Sequence, residues 1–120
     1  GFMDTPRELE WYLRDHFFRQ AGKGRIQFQR SAIAGEMSGM YLRFRGYDPQ
    51  ELAKSMSPVI DDLVYRQVLT QAGDNLEVAG ALVRMQCAKC FYVSYLLAEK
   101  EPKACQRCMG RELNEFPKRK

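Results

Sequence analysis

The feature that most constrains how this chain can fold is the stretch from Cys87 to Cys108, which holds all four cysteines of the sequence. Their spacing is Cys87-x2-Cys90-x14-Cys105-x2-Cys108. Two residues between paired cysteines let the backbone turn as a tight knuckle that aims both sulfurs at one point. Two knuckles then supply the four ligands of a tetrahedral metal site. The fourteen residues between the pairs suit an out-and-back excursion. Phe91 to Leu97 is strand-like by composition, and Glu99 to Lys103 is a polar turn leading back. Arg84, Lys89, Lys103 and Arg107 are near in sequence and would offset the formal −2 of four thiolates around a divalent ion.

Strand, knuckle, strand, turn and knuckle in that order resemble a zinc ribbon, over about residues 84–111. Met109-Gly110 after the second knuckle suits this, because glycine permits the tight backbone that points amide hydrogens at sulfur; the first knuckle carries Phe91 after Cys90 instead. The resemblance implies one structural zinc ion on Cys87, Cys90, Cys105 and Cys108, and a role in transcription, translation or RNA processing. Other uses of the thiols fit less well. A thiol–disulfide oxidoreductase normally has one C-x-x-C at a helix start. Structural disulfides are uncommon in reducing compartments. A rubredoxin-type iron centre uses similar knuckles, and spacing does not separate it from zinc, the expected ion. Four cysteines close the shell, whereas catalytic zinc keeps an open position. No H-x-E or H-E-x-x-H accompanies them. The single histidine, His16, reads as a helix-face residue. Catalytic residues are not expected, nor is an enzyme.

Upstream, Thr5-Pro6-Arg7-Glu8 is a helix start with a capping box, followed by an apolar stripe of Leu9, Leu13 and Phe17 with Trp11 and Phe18. Gly22-Lys23-Gly24 ends that helix; it lacks the Walker-type frame that phosphate binding would need. Arg25–Gln29 alternates as a short strand, and Ser31 is placed to cap a short helix, Ser31–Met37. Met40–Arg45 alternates and favours a strand, with a short helix as the other reading. Asp48-Pro49 and Ser57-Pro58 each look like a helix start, and Asp61-Asp62 then sits in a first turn, where the macrodipole favours acids. Apolar residues recur at helical spacing from Val59 to Leu69, and Gly73-Asp74-Asn75 is expected to close that helix. Leu76–Gln86 reads as extended, with a bulge at Gly80. Helix, strand, helix, helix, strand is the order of a winged helix-turn-helix domain, with Met40–Gly46 or Pro58–Gln71 as the DNA-reading helix. The expected class is therefore α+β: a small, mainly helical, winged-helix-like domain over 3–83, a zinc ribbon over 84–116, and a basic tail over 117–120.

The net charge of +4 is modest, but it is unevenly spread. Residues 19–45 carry six basic groups against Glu36 alone, residues 46–83 carry two against six acids, and residues 84–120 carry nine against four. Basic blocks attract phosphate backbones. Candidate nucleic-acid contacts are Arg25, Arg30, Tyr41, Arg43 and Arg45 in the first block, and Lys89, Lys100, Lys103 and Arg107 in the second. Tyr92 and Tyr95 are placed to stack on bases or to cover the hairpin. The first expectation is thus a zinc-binding, nucleic-acid-associated protein: a DNA-binding transcriptional regulator or a component of the transcription machinery, with DNA ahead of RNA as partner. The alternative is an adaptor or assembly factor that binds a protein through the acidic helical middle. No apolar run approaches the ~18–20 residues that span a bilayer. The start of the chain shows no basic-then-apolar leader, so no membrane partner and a reducing, cytoplasmic compartment are expected.

Overall fold

The computed structural model describes residues 5–117. Met3 and Asp4 of the expected first domain, and Lys118 to Lys120 of the expected tail, lie outside them. The fold is α+β, with three α-helices and two small antiparallel sheets. Helix α1 (Pro6–Ala21) starts as its sequence dictates: the Thr5 hydroxyl accepts the Glu8 N–H at 3.1 Å, and Pro6 occupies the first turn. Strand β1 (Gln27–Gln29), helix α2 (Arg30–Met40), one 3-10 turn (Leu42–Phe44), helix α3 (Pro49–Tyr65) and strands β2 (Leu69–Ala72) and β3 (Asn75–Val78) follow. The first sheet has the order β1-β3-β2. Strands β4 (Leu82–Cys87), β5 (Val93–Leu97) and β6 (Leu113–Glu115) form the second sheet, in the order β5-β4-β6. Leu9, Leu13 and Phe17 of α1 meet Ile33 and Met37 of α2, Leu52, Met56, Ile60 and Leu63 of α3, and Phe28, Leu69 and Leu76 of the first sheet in one core. No helix among the described residues is long and apolar enough to cross a membrane.

Several local expectations give way to tertiary forces. Met40–Arg45 is neither strand nor second helix: Met40 ends α2 and the 3-10 turn buries Phe44 alone. Ser57-Pro58 does not start a helix. Pro58 lies inside α3, where it removes one hydrogen bond and costs about 3 kcal/mol. The helix continues because Leu52, Met56, Val59, Ile60 and Leu63 share one buried face on both sides of it. Asp61 and Asp62 therefore fall in the last turns of α3, against the macrodipole; ion pairs from Arg30 to Asp61 and from Arg66 to Asp62, both at 2.7 Å, offset this. Helix α3 stops before Gly73. Val68 N–H bonds Leu63 O at 2.9 Å and Gln67 N–H bonds Val64 O at 3.0 Å, with Gln67 at φ 65°. This is a Schellman ending without glycine, and buried Val68 packing near Leu63 is its apolar half. Gly73, at φ 60°, then turns β2 into β3. Ser31 does not cap α2 but sits inside its first turn. The cap comes from Asp74, whose carboxylate accepts the Ser31 N–H at 2.9 Å and the Ser31 hydroxyl at 2.5 Å. Extended Leu76–Gln86 is two strands in different sheets, broken at residues 79–81.

One helix is the wall shared by both sheets. Three consecutive polar residues of α1 are buried, each directed at a different neighbour. Arg14, fully buried, donates to Tyr95 O at 2.7 Å, to both Glu101 oxygens at 2.7 and 2.8 Å, and to Glu10 at 2.9 Å. Asp15 accepts from the Tyr95 hydroxyl, from the Tyr41 hydroxyl at 2.7 Å and from Arg19 at 2.9 Å. His16 Nε2 lies 2.5 Å from Glu36 of α2, which also takes both Arg25 nitrogens at 2.5 and 2.8 Å. Beside them Trp11 Nε1 donates to Val93 O at 2.8 Å, Phe18 packs on Tyr95, and the Arg84 guanidinium lies over Phe18 at 4.9 Å. The broad apolar stripe thus serves two faces, the helical core and the second sheet. His16, expected on a helix face, is an interior group.

Arg14→Met leaves the Tyr95 carbonyl and the Glu101 carboxylate without their partner. In urea unfolding of metal-loaded protein it is expected to cost about 3–5 kcal/mol. Glu101→Gln turns an amide donor toward one guanidinium N–H and leaves buried Arg14 with Glu10 as its only carboxylate, so it is expected to cost a similar amount. A loss below about 1 kcal/mol from either change would contradict this account. Burial holds the His16 pKa below its ordinary 6.5, outweighing the attraction of Glu36. Its Nδ1 is buried without a partner, so protonation there would strand an N–H. The unfolded chain therefore takes up the extra proton first as pH falls. Stability that depends on neutral His16 is complete above about pH 6.5 and is lost as pH falls through the lowered folded value. His16→Gln is expected to flatten this acid limb relative to wild type in melts at stepped pH; parallel curves would reject the assignment.

Candidate metal centre

The four cysteines converge from two hairpin ends of the second sheet. Cys87 ends β4 and Cys90 follows a tight turn; Cys105 and Cys108 lie between β5 and β6. All four sulfurs lie within 4.8 Å of one another, with Cys87 and Cys108 at 3.6 Å and Cys90 and Cys105 at 3.5 Å. A tetrahedral ion with sulfur at about 2.3 Å sets its ligands about 3.8 Å apart, so the cluster fits one such ion. Cys87 and Cys105 are buried, Cys90 is half-buried and Cys108 is exposed, which gives the site an inner and an outer pair. Four cysteines are positioned to hold one metal ion, in an arrangement consistent with a zinc-ribbon-like module. The set offers four protein ligands and therefore suits a closed, structural centre.

The two knuckles are near-copies. Lys89 N–H points at Cys87 Sγ and Arg107 N–H at Cys105 Sγ, both at 3.4 Å. Cys108 N–H also reaches Cys105 Sγ, and Gly110 N–H reaches Cys108 Sγ, again at 3.4 Å. The residue after each outer cysteine is left-handed: Phe91 at φ 65° and Met109 at φ 67°. Glycine was expected to permit the tight backbone that points amide hydrogens at sulfur in the second knuckle, and the Gly110 N–H does reach Cys108 Sγ. The left-handed positions themselves are held by Phe91 and Met109, each with strain on the order of 1 kcal/mol. Gly110 matters for space, because a Cβ on it would stand 3.2 Å from Cys108 Sγ. Backbone N–H groups tune the inner thiols. The Cys90 amide, above all, draws Cys87 below its ordinary range. Burial opposes ionisation of Cys105, yet the amides of Cys108 and Arg107 bring it to about 6. The Tyr92 amide favours a Cys90 thiolate, but burial and the three neighbouring sulfurs push that thiol up to about 11. Four thiolates this close would repel one another without a cation between them.

The candidate nucleic-acid residues do not form one surface. Arg25 is held by Glu36 and stacks over Phe28 at 4.4 Å. Arg30 joins Asp61, Gln71 and Ser57. Arg43 reaches Glu8 at 3.0 Å and the Tyr47 hydroxyl at 2.6 Å. Tyr41 is tied to Asp15, and burial together with Asp15 raises its phenol pKa. These four residues hold the helical unit together. Arg45 is exposed just ahead of α3. Lys89, Lys103 and Arg107 are exposed around the knuckles, Arg107 lies 5.9 Å from the Tyr92 ring, and Lys100 donates to Ala79 O at 3.0 Å. Tyr95 is not free to stack on bases: it is buried against α1, with its phenol pushed up to about 12 by burial and Asp15. The Arg14–Glu101 anchor, which seats the ribbon, went unread in the sequence. Only the polar run Arg14-Asp15-His16 inside an apolar stripe hinted at it. Comparison with protein-family models, with curated proteins and with solved structures returns no match.

The second sheet buries little beyond Tyr95, Leu96, Leu97 and the two inner cysteines, so an ion held by the four cysteines would contribute directly to its folding. Trp11, the sole tryptophan, bonds β5 and reports on it directly. Chelation, or Cys105→Ser, is expected to shift Trp11 emission to the red as β5 leaves α1, while α-helical circular dichroism is largely retained. Unchanged emission after verified metal removal would refute this dependence.

Proposed function

We propose that this is a zinc-stapled, nucleic-acid-associated protein whose helical unit docks on duplex DNA. The carrying observation is topological. The order α1-β1-α2-α3-β2-β3 with sheet order β1-β3-β2 supports a winged helix-turn-helix reading, under which α3 is assigned as the reading helix. Its N-terminal half exposes Gln50, Glu51, Ala53, Lys54 and Ser55, with Lys54 and Glu51 paired at 3.1 Å, and is preceded by exposed Arg45 and Asp48. Since Arg25, Arg30 and Arg43 are engaged internally, Arg45 and Lys54 are assigned the phosphate contacts at this end, with the exposed cations of the ribbon extending the surface. Zinc is the assigned ion because four thiolates in a closed tetrahedron suit it; its part is to fold the ribbon. The role assigned is regulatory rather than enzymatic.

A second reading rests on the other end of α3, where Asp61, Asp62 and Tyr65, the last 86% exposed, form an acidic, aromatic face unsuited to phosphate. There the protein is an adaptor whose partner meets this face. The deciding experiment is a mobility-shift panel of duplex DNA and RNA at about 50 and 200 mM salt, on zinc-verified protein. Duplex binding that weakens steeply with salt is expected, and Arg45→Ala with Lys54→Ala is expected to lower the salt slope by about 2. Absence of binding at low salt would set the nucleic-acid reading aside in favour of the adaptor.

A further inference from the structure

The two knuckles share more than their sulfur geometry. In each, the residue before the outer cysteine is a cation and the residue after it is a large apolar side chain: Lys89-Cys90-Phe91 and Arg107-Cys108-Met109. Phe91 and Met109 are 68% and 70% exposed, among the most exposed large apolar residues of the fold. Both also stand in the left-handed region, at φ 65° and 67°, where a side chain of either kind is disfavoured and glycine or asparagine is not. Folding gains nothing from these two residues. They bury little, and the metal shell needs only their backbone. Strained, exposed apolar groups repeated at equivalent positions point to a contact made outside the chain.

We propose that the outer side of the metal centre is a two-pronged tip that engages an unpaired nucleic-acid strand, with Phe91 stacking on a base, Met109 packing against a neighbouring one, and Lys89 and Arg107 meeting the flanking phosphates. This deepens the function proposed above and rests on it. Charge and size select the partner. Each apolar prong has a cation two residues away, which matches a polymer that alternates base faces with phosphates. The prongs together offer about 300 Å² of apolar surface, well under the roughly 800 Å² per partner of a stable protein interface. They lie where the site opens outward, beside half-buried Cys90 and exposed Cys108, so a strand can reach them without disturbing buried Cys87 and Cys105. Arg107 lies 5.9 Å from the ring centre of half-buried Tyr92.

The left-handed geometry makes the test clean. Phe91→Gly with Met109→Gly removes the prongs but relieves the backbone, so zinc content and thermal midpoint are expected to hold or rise. Fluorescence anisotropy with labelled 20-nucleotide oligothymidine and with a blunt 20-base-pair duplex then separates the tip from the helical unit. Wild type is expected to bind both probes. The double variant is expected to lose about tenfold on oligothymidine and little on the duplex. Lys89→Ala with Arg107→Ala is expected to lower the salt slope on oligothymidine by about 2. Equal oligothymidine binding by wild type and the glycine variant would overturn the tip while leaving duplex docking intact. Binding of neither probe by wild type would remove both readings. A prong-dependent self-association in sedimentation, with no oligothymidine binding, would assign the tip to a protein surface instead.

Discussion

The buried guanidinium of Arg14 is the interaction on which the rest of the architecture depends. It is taken wholly out of water and is compensated only by groups from three places: Glu10 one turn back on α1, the Tyr95 carbonyl on β5, and Glu101 on the excursion between the knuckles. A buried charge with partial compensation is strongly unfavourable. Arg14 is therefore fully satisfied only when β5 and the Glu101 turn are seated on the helical unit. Glu101 also accepts the Leu97 N–H at 2.9 Å, which pins the same turn to the end of β5. Burial tends to raise the Glu101 carboxyl, and the Arg14 guanidinium outweighs it and holds it below the ordinary carboxylate range.

This arrangement ties the metal to the helices. The second sheet has little apolar core, so the position of β5 leans on the paired knuckles beside its start, whose four cysteines are placed to share one ion. Through Arg14, Asp15 and Trp11 the consequence reaches α1, which carries one face of the main core. Burial of the inner thiols, their lowered pKa values and the docking of β5 are thus one cooperative construction rather than a ribbon hung on a linker. Residues 79–81, which pass the chain from the first sheet to the second, leave no room for a flexible tether.

The same economy ties most cations of the basic block over residues 19–45 to the protein's own carboxylates. Arg25 closes a triad with Glu36 and His16 that joins α1 to α2, and Arg30 bridges β2 and α3 beside the Asp74 cap of α2. Charge excess along the chain does not give charge excess at a surface, because carboxylates from all three helices meet these cations: Glu8 and Asp15 of α1 pair with Arg43 and Arg19, Glu36 of α2 with Arg25, and Asp61 of α3 with Arg30. Among the cations left outward are Arg45 and Lys54 near the start of α3, Lys54 within 3.1 Å of exposed Glu51, and Lys89, Lys103 and Arg107 around the knuckles, and the functional proposals rest on these.

What the sequence determined by itself is what depends on residues close together in the chain. The cysteine spacing fixed the metal ligands, since each knuckle closes over four residues. Thr5-Pro6 and Asp48-Pro49 set two helix starts through side chains that bond amides two or three residues on, as the Asp48 carboxylate does with the Gln50 N–H at 3.1 Å. The α+β class followed from the order of elements. Tertiary structure alone decided what rests on distant partners. Asp74 caps α2 from across the first sheet, the shared apolar face carries α3 through Pro58, and Val68 folds back on Leu63 to end that helix without glycine. The fates of Arg14, Asp15 and His16, which any local reading would place in solvent, were settled by carboxylates, phenols and a carbonyl brought to them by the fold. A hydrogen bond or a desolvated charge acts over a few ångströms, and neighbours at that range belong to the sequence only when the chain between them is short.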